Sequence, residues 1–144
     1  MHSKQSLLVV AAAILSLAAL APSVSASSPR SGELQATKEC SDFTGSAGSY
    51  CTITSSNLKA IPVHSTILYL QPADLFTDAG SDVVLDVPGP GNNQAFGNCS
   101  LTINHCNFWG GTGKFTWFHA SVDVSTQDWV NWAWEGTYDF SPRD

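Results

Sequence analysis

The chain has 144 residues, with 12 acidic side chains against six lysines and arginines, for a formal net charge of −6. The acids all follow the first thirty residues and are scattered, and no basic run occurs, so the electrostatic footprint of nucleic acid or anionic-membrane binding is missing. This length suits one domain, small enough to benefit from covalent staples.

The chain opens like an export signal. Lys4 precedes an apolar run over 7–20, Pro22 ends that run, and Val24-Ser25-Ala26 supplies the small residue a cleavage site needs. The run is short for a membrane span and no second one follows. The expected organisation is a signal peptide over 1–26, a flexible leader over 27–36 containing Ser28-Pro29-Arg30-Ser31-Gly32, and one domain over 37–144. The expected location is therefore extracellular, with no membrane attachment after cleavage.

Four cysteines follow, Cys40, Cys51, Cys99 and Cys106, and an even number in an exported chain reads as two disulfides. Three pairings can be drawn. The sequence-local one, Cys40 with Cys51 and Cys99 with Cys106, is favoured because each bond would close a short loop between strand ends. The cysteine spacing suits zinc poorly, and His64, His105 and His119 show no ligand spacing, so neither metal nor cofactor is expected.

In chain order, 49–54 alternates as a strand does, and 64–70 is rich in Ile, Leu and Tyr after Pro62. One helical turn is expected over 72–77, then a short apolar strand over 82–87 stopped by Pro88-Gly89-Pro90-Gly91. The stretches 98–103 and 105–109 read as a hairpin, and Gly110-Gly111-Thr112-Gly113 as the next turn. Two long strands close the chain, 114–124 and 129–140, joined by a link short enough for a hairpin. Many short strands with Gly- and Pro-rich turns define an all-β protein, and the aromatic mass at period two points to a closed or strongly curved antiparallel sheet.

The closing strands separate into faces. Phe118, Ala120, Val122 and Val124 share one face, as do Val130, Trp132, Trp134, Gly136, Tyr138 and Phe140, and these apolar faces are expected to form the core. Opposite them lie Trp117, His119, Ser121 and Asp123, and Trp129, Asn131, Ala133, Glu135, Thr137 and Asp139. A tight hairpin would put His119 near Glu135 or Asn131.

The run Gly110-Gly111-Thr112-Gly113-Lys114-Phe115, leading into a strand with Ala120, resembles the GGTGxF turn-and-strand of plant dirigent proteins and allene oxide cyclase-like barrels. The ending Trp134-Glu135-Gly136-Thr137-Tyr138 resembles the closing strand of small secreted proteins, many of them actinobacterial. The resemblance implies an eight-stranded antiparallel barrel with a cavity for hydrophobic small molecules. The continuation Thr116-Trp117-Phe118-His119-Ala120 lacks the arginine common in dirigent proteins, and a shared fold does not carry an activity with it.

The expected function is thus a secreted, non-catalytic barrel binding a small apolar or aromatic ligand in its cavity. A carbohydrate-binding module is the alternative, with Trp117, Trp129 and Tyr138 as flat faces beside Asn131, Asp123 and Glu135. A dirigent- or cyclase-like enzyme is a third reading. His119 with Asp123 and Glu135 is the candidate acid–base group, although no serine sits in a Gly-x-Ser-x-Gly elbow. Trp109, in a glycine-rich turn, is a candidate interface anchor.

Overall fold

The computed structural model describes residues 30–74 and 80–142; the expected signal peptide lies outside them. The strands are β1 (Ser31–Glu39), β2 (Tyr50–Ser56), β3 (Thr66–Tyr69), β4 (Ser81–Asp86), β5 (Gln94–Ser100), β6 (His105–Gly111), β7 (Phe118–Thr126) and β8 (Asn131–Phe140). Each pairs antiparallel with its sequence neighbours, and β8 returns to β1, closing an eight-stranded barrel. The closing ladder is long, running through nine residue pairs from Ser31 opposite Asp139 to Glu39 opposite Asn131.

Alternation explains the inside and the outside. Leu34 and Ala36 of β1, Val83 and Leu85 of β4, Val122 and Val124 of β7 and Trp134 of β8 are all buried. The intervening Asp82, Asp86, Ser121, Asp123, Glu135 and Thr137 face water. Apolar side chains inside and polar ones outside reverse the arrangement of a membrane-spanning barrel. Removing side chains the size of Phe118 or Leu85 from water contributes roughly 2 kcal/mol apiece, an upper figure for a compact unfolded chain.

Both disulfides follow the local pairing, Cys40–Cys51 and Cys99–Cys106. Cys99 and Cys106 are direct cross-strand partners on β5 and β6. All four cysteines are buried near the barrel end formed by the β5–β6 and β7–β8 turns.

Several boundaries differ from the expected ones. The stretch 27–36 is not a loose leader from Ser31 onward, because Leu34, Ala36 and Lys38 point inward and β1 is paired on both sides. β5 starts at Gln94, earlier than expected, and 101–104 turns instead of extending the strand. Pro72, Ala73 and Asp74 form no helix, and the remainder of that expected turn lies outside the described residues.

The Gly-rich run before β7 is not all turn and then strand. Gly110 and Gly111 belong to β6, while Gly113–Phe115 forms a short 3-10 turn that delays β7 to Phe118. Gly113 has φ of 57°, and a Cβ there would meet the Asn92 carbonyl and the Asn93 side chain. Asn93 Oδ1 accepts from the Lys114 N–H at 3.0 Å, tying this turn to the Pro/Gly loop. The turn drives Phe115 fully into the barrel end, 5.2 Å from Phe118 and 6.4 Å from Phe140 between ring centres. That end is plugged.

Lys38 is the unusual interior residue. It is 2% exposed; its Nζ donates to the Tyr69 hydroxyl at 2.8 Å and lies 5.3 Å from the Trp134 ring centre. A hydrogen bond and two aromatic faces compensate part of the cost of burying an ammonium.

Candidate functional site

The opposite end of the barrel carries an apolar mouth. Phe43, Ala73, Leu101, Trp129 and Trp132 line a pocket of about 310 Å³ beside Cys40. Trp129 and Trp132 meet edge to face, with ring centres 5.9 Å apart and planes at 77°. Phe43 packs on Tyr69 at 4.6 Å, so the mouth sits directly above the Lys38–Tyr69 contact. Flat rings at a concave opening are the usual material of a small-molecule site.

The β7–β8 turn holds Trp129 out. Its ring is attached to a backbone with φ of 64°, a region that bulky side chains avoid, and the residue is 64% exposed. Neighbouring polar groups maintain this conformation. Asp128 Oδ1 accepts from the Val130 N–H at 3.0 Å and the Asn131 N–H at 2.7 Å, and Oδ2 accepts from Asn131 Nδ2 at 2.9 Å. Thr126 Oγ1 accepts from the Trp129 N–H at 2.9 Å and donates to the Asn131 carbonyl at 2.7 Å. Those donors, the Asn131 side chain first, lower the Asp128 carboxyl to about 2.

The expected site residues do not form one cluster. Trp129 and Asn131 stand at the mouth, where Asn131 supports the turn. Tyr138 is buried in the core, its ring 5.8 Å from Phe140, and offers no outward stacking face. Trp117 is 51% exposed at the far, plugged end.

His119 stands opposite Asp139, with Nδ1 3.4 Å from Oδ1, and not beside Glu135 or Asn131. Glu135 stands opposite Asp123, four residues further along β7, about 13 Å away at strand spacing. The candidate acid–base group of His119 with Asp123 and Glu135 is therefore not assembled. Asp123 engages His105 instead, across the β6–β7 ladder. His105 was legible as an outward residue, since its neighbour Cys106 points inward, but its partner depended on a register that the sequence does not show.

Comparison with known protein families, curated proteins and solved structures finds no match to this chain. Fold and site together define a disulfide-stapled, closed eight-stranded antiparallel barrel with one plugged end and one aromatic mouth.

Proposed function

We propose that this protein is a secreted barrel of the allene oxide cyclase-like and dirigent-like group that holds a small apolar or aromatic ligand at its mouth without transforming it. The carrying observation is the Trp129–Trp132 pair, presented at a concave opening by a strained and heavily hydrogen-bonded turn. Two disulfides support an oxidising destination. The group assignment rests on the Gly110 to Phe115 run and on the barrel topology it accompanies.

The ligand seats above the packed interior. Removing about 200 Å² of ligand and mouth surface from water contributes about 5 kcal/mol before ordering costs, so binding is no tighter than roughly 0.2 mM. The glycan reading keeps exposed Trp117 and Trp129 but loses Tyr138, which is enclosed in the core.

Titration of the oxidised protein with an environment-sensitive naphthalene dye, and separately with soluble glycans, tests the proposal. Dye emission should rise as tryptophan emission falls, and Trp129→Ala should weaken the dye at least fivefold. Dye binding by Trp129→Ala and Trp132→Ala as strong as the parent's would refute the mouth site; quenching by glycans alone would favour the sugar reading.

A further inference from the structure

Beyond binding at the mouth, we propose a second, catalytic site on the outer face of β6 and β7: Ser121, His105 and Asp123 form a nucleophile–base–carboxylate triad that hydrolyses small neutral esters. The geometry carries it. His105 Nδ1 is 2.8 Å from Asp123 Oδ1, and His105 Nε2 is 2.9 Å from Ser121 Oγ. Both distances lie within the hydrogen-bond reach of an activated serine.

The barrel assembles these groups by register. Ser121 and Asp123 are two residues apart on β7 and so share its outward face. His105 lies directly opposite Asp123, and Asn107 directly opposite Ser121. The Cys99–Cys106 bond next to His105 pins the start of β6.

The carboxylate also sets the tautomer. An ionised Asp123 only accepts hydrogen bonds, so in the neutral ring Nδ1 carries the proton and the Nε2 lone pair faces Ser121. Ser121 Oγ–H then donates to Nε2, the direction a general base requires. Asn107 Oδ1 lies 3.3 Å from the same Nε2, a longer contact than that of the Ser121 hydroxyl.

A substrate has room beside the nucleophile. Ser121 lines an outward groove of about 250 Å³ together with Asn107, Trp109, His119, Thr137 and Asp139. Thr137 stands opposite Ser121 on β8, so Asn107 and Thr137 flank the serine on its two sides. Their N–H and O–H groups are the donors available to a developing oxyanion. Trp109 is 54% exposed and gives a planar acyl or aryl group a face to rest on. Asp123, Asp139 and Glu135 around the site disfavour anionic esters.

The step balances with water as co-reactant. Ser121 Oγ bonds to the ester carbonyl carbon while His105 Nε2 takes its proton; the bond to the leaving alkoxide breaks, and Nε2 returns the proton to that oxygen. Water then attacks the acyl-serine, delivering one proton through Nε2 to the departing Ser121 Oγ. The products are an acid and an alcohol.

The test uses the oxidised full chain with p-nitrophenyl acetate and a fluorophosphonate probe. Ester turnover above buffer is expected, with one phosphonyl group on the peptide holding Ser121. Ser121→Ala should abolish labelling, and His105→Gln should lower turnover on the order of 100-fold. Ser125→Ala, outward on the same strand, should retain both signals.

Asp123 is a positioning residue, so its test is the split between kcat and KM together with rescue by the conservative variant. Asp123→Asn should lower kcat with KM little changed, and Asp123→Glu should restore part of it. Absence of labelling at saturating probe, or equal labelling of Ser121→Ala, overturns the site and leaves a polar cross-strand network. Because the mouth is not involved, its dye binding stands or falls separately.

Discussion

Removing the disulfides one at a time should separate two contributions to stability, and the chain separations set the scale. Cys40–Cys51 spans 11 residues and Cys99–Cys106 spans seven. In the chain-entropy treatment, loops of those lengths stabilise by about 2.8 and about 2.3 kcal/mol at 25 °C. Alanine in place of each buried cysteine adds a small packing loss, about 1 kcal/mol per pair. Both bonds together then amount to about 5 kcal/mol from the cross-links alone, against about 5–15 kcal/mol for a whole domain. The assay is urea unfolding of the two double-alanine variants, followed by tryptophan fluorescence and far-ultraviolet circular dichroism. Each midpoint should fall, the Cys40/Cys51 variant slightly more, and the urea dependence should steepen as the unfolded chain expands. A loss below about 0.5 kcal/mol for either variant would show that the cross-link acts on a denatured ensemble already compact at that point.

Three further outcomes follow from single residues. The Asp128 carboxyl lies at about 2, against an ordinary 3.8, so its support of the turn is complete above the ordinary value and is lost as pH falls through about 2. The amide resonances of Val130 and Asn131 should report that midpoint, and a midpoint near 3.8 would contradict the hydrogen-bond assignment. Gly136→Ala drives a Cβ into the Ser121 carbonyl and the Val122 Cα, and thermal unfolding should show a loss of about 3 kcal/mol. Lys38→Met keeps the buried stem and removes the charge, so it should stay within about 1 kcal/mol of the parent. Lys38→Ala should cost about 2–4 kcal/mol in the same urea assay, and the reverse ranking would refute a packing role for the stem.

The all-β class and most of the core faces of β7 and β8 were legible because period-two alternation sustained over nine or ten residues fits a half-buried strand and no helix; Val130, expected in the core, is instead exposed in the turn that precedes β8. β1 was hidden. Its inward positions are Leu34, Ala36 and a lysine, and its Ser, Gly, Glu and Gln neighbours imitate a solvated leader until pairing with β2 and β8 is seen. Turn chemistry misleads for a similar reason: a 3-10 turn at Gly113–Phe115 consumes residues that alternate as a strand would. Register decided the sites. A single pairing, His105 with Asp123, moved the polar centre from β7–β8 to β6–β7 and replaced His119 by His105. At the mouth, Trp129 could be named from sequence, but Phe43, which lines the same pocket, lies 86 positions earlier in a turn without strand periodicity.

The seam between β1 and β8 has a mechanical consequence. Ser31 and Asp139 are paired at the same end of that antiparallel ladder, so a pull on both termini loads only the outermost hydrogen bonds. The nine pairs must then give way in succession, like a zip, instead of resisting together in shear. A barrel that its disulfides protect against denaturant is therefore weak against tension along its own ends, and stretching it would open the wall at this seam first.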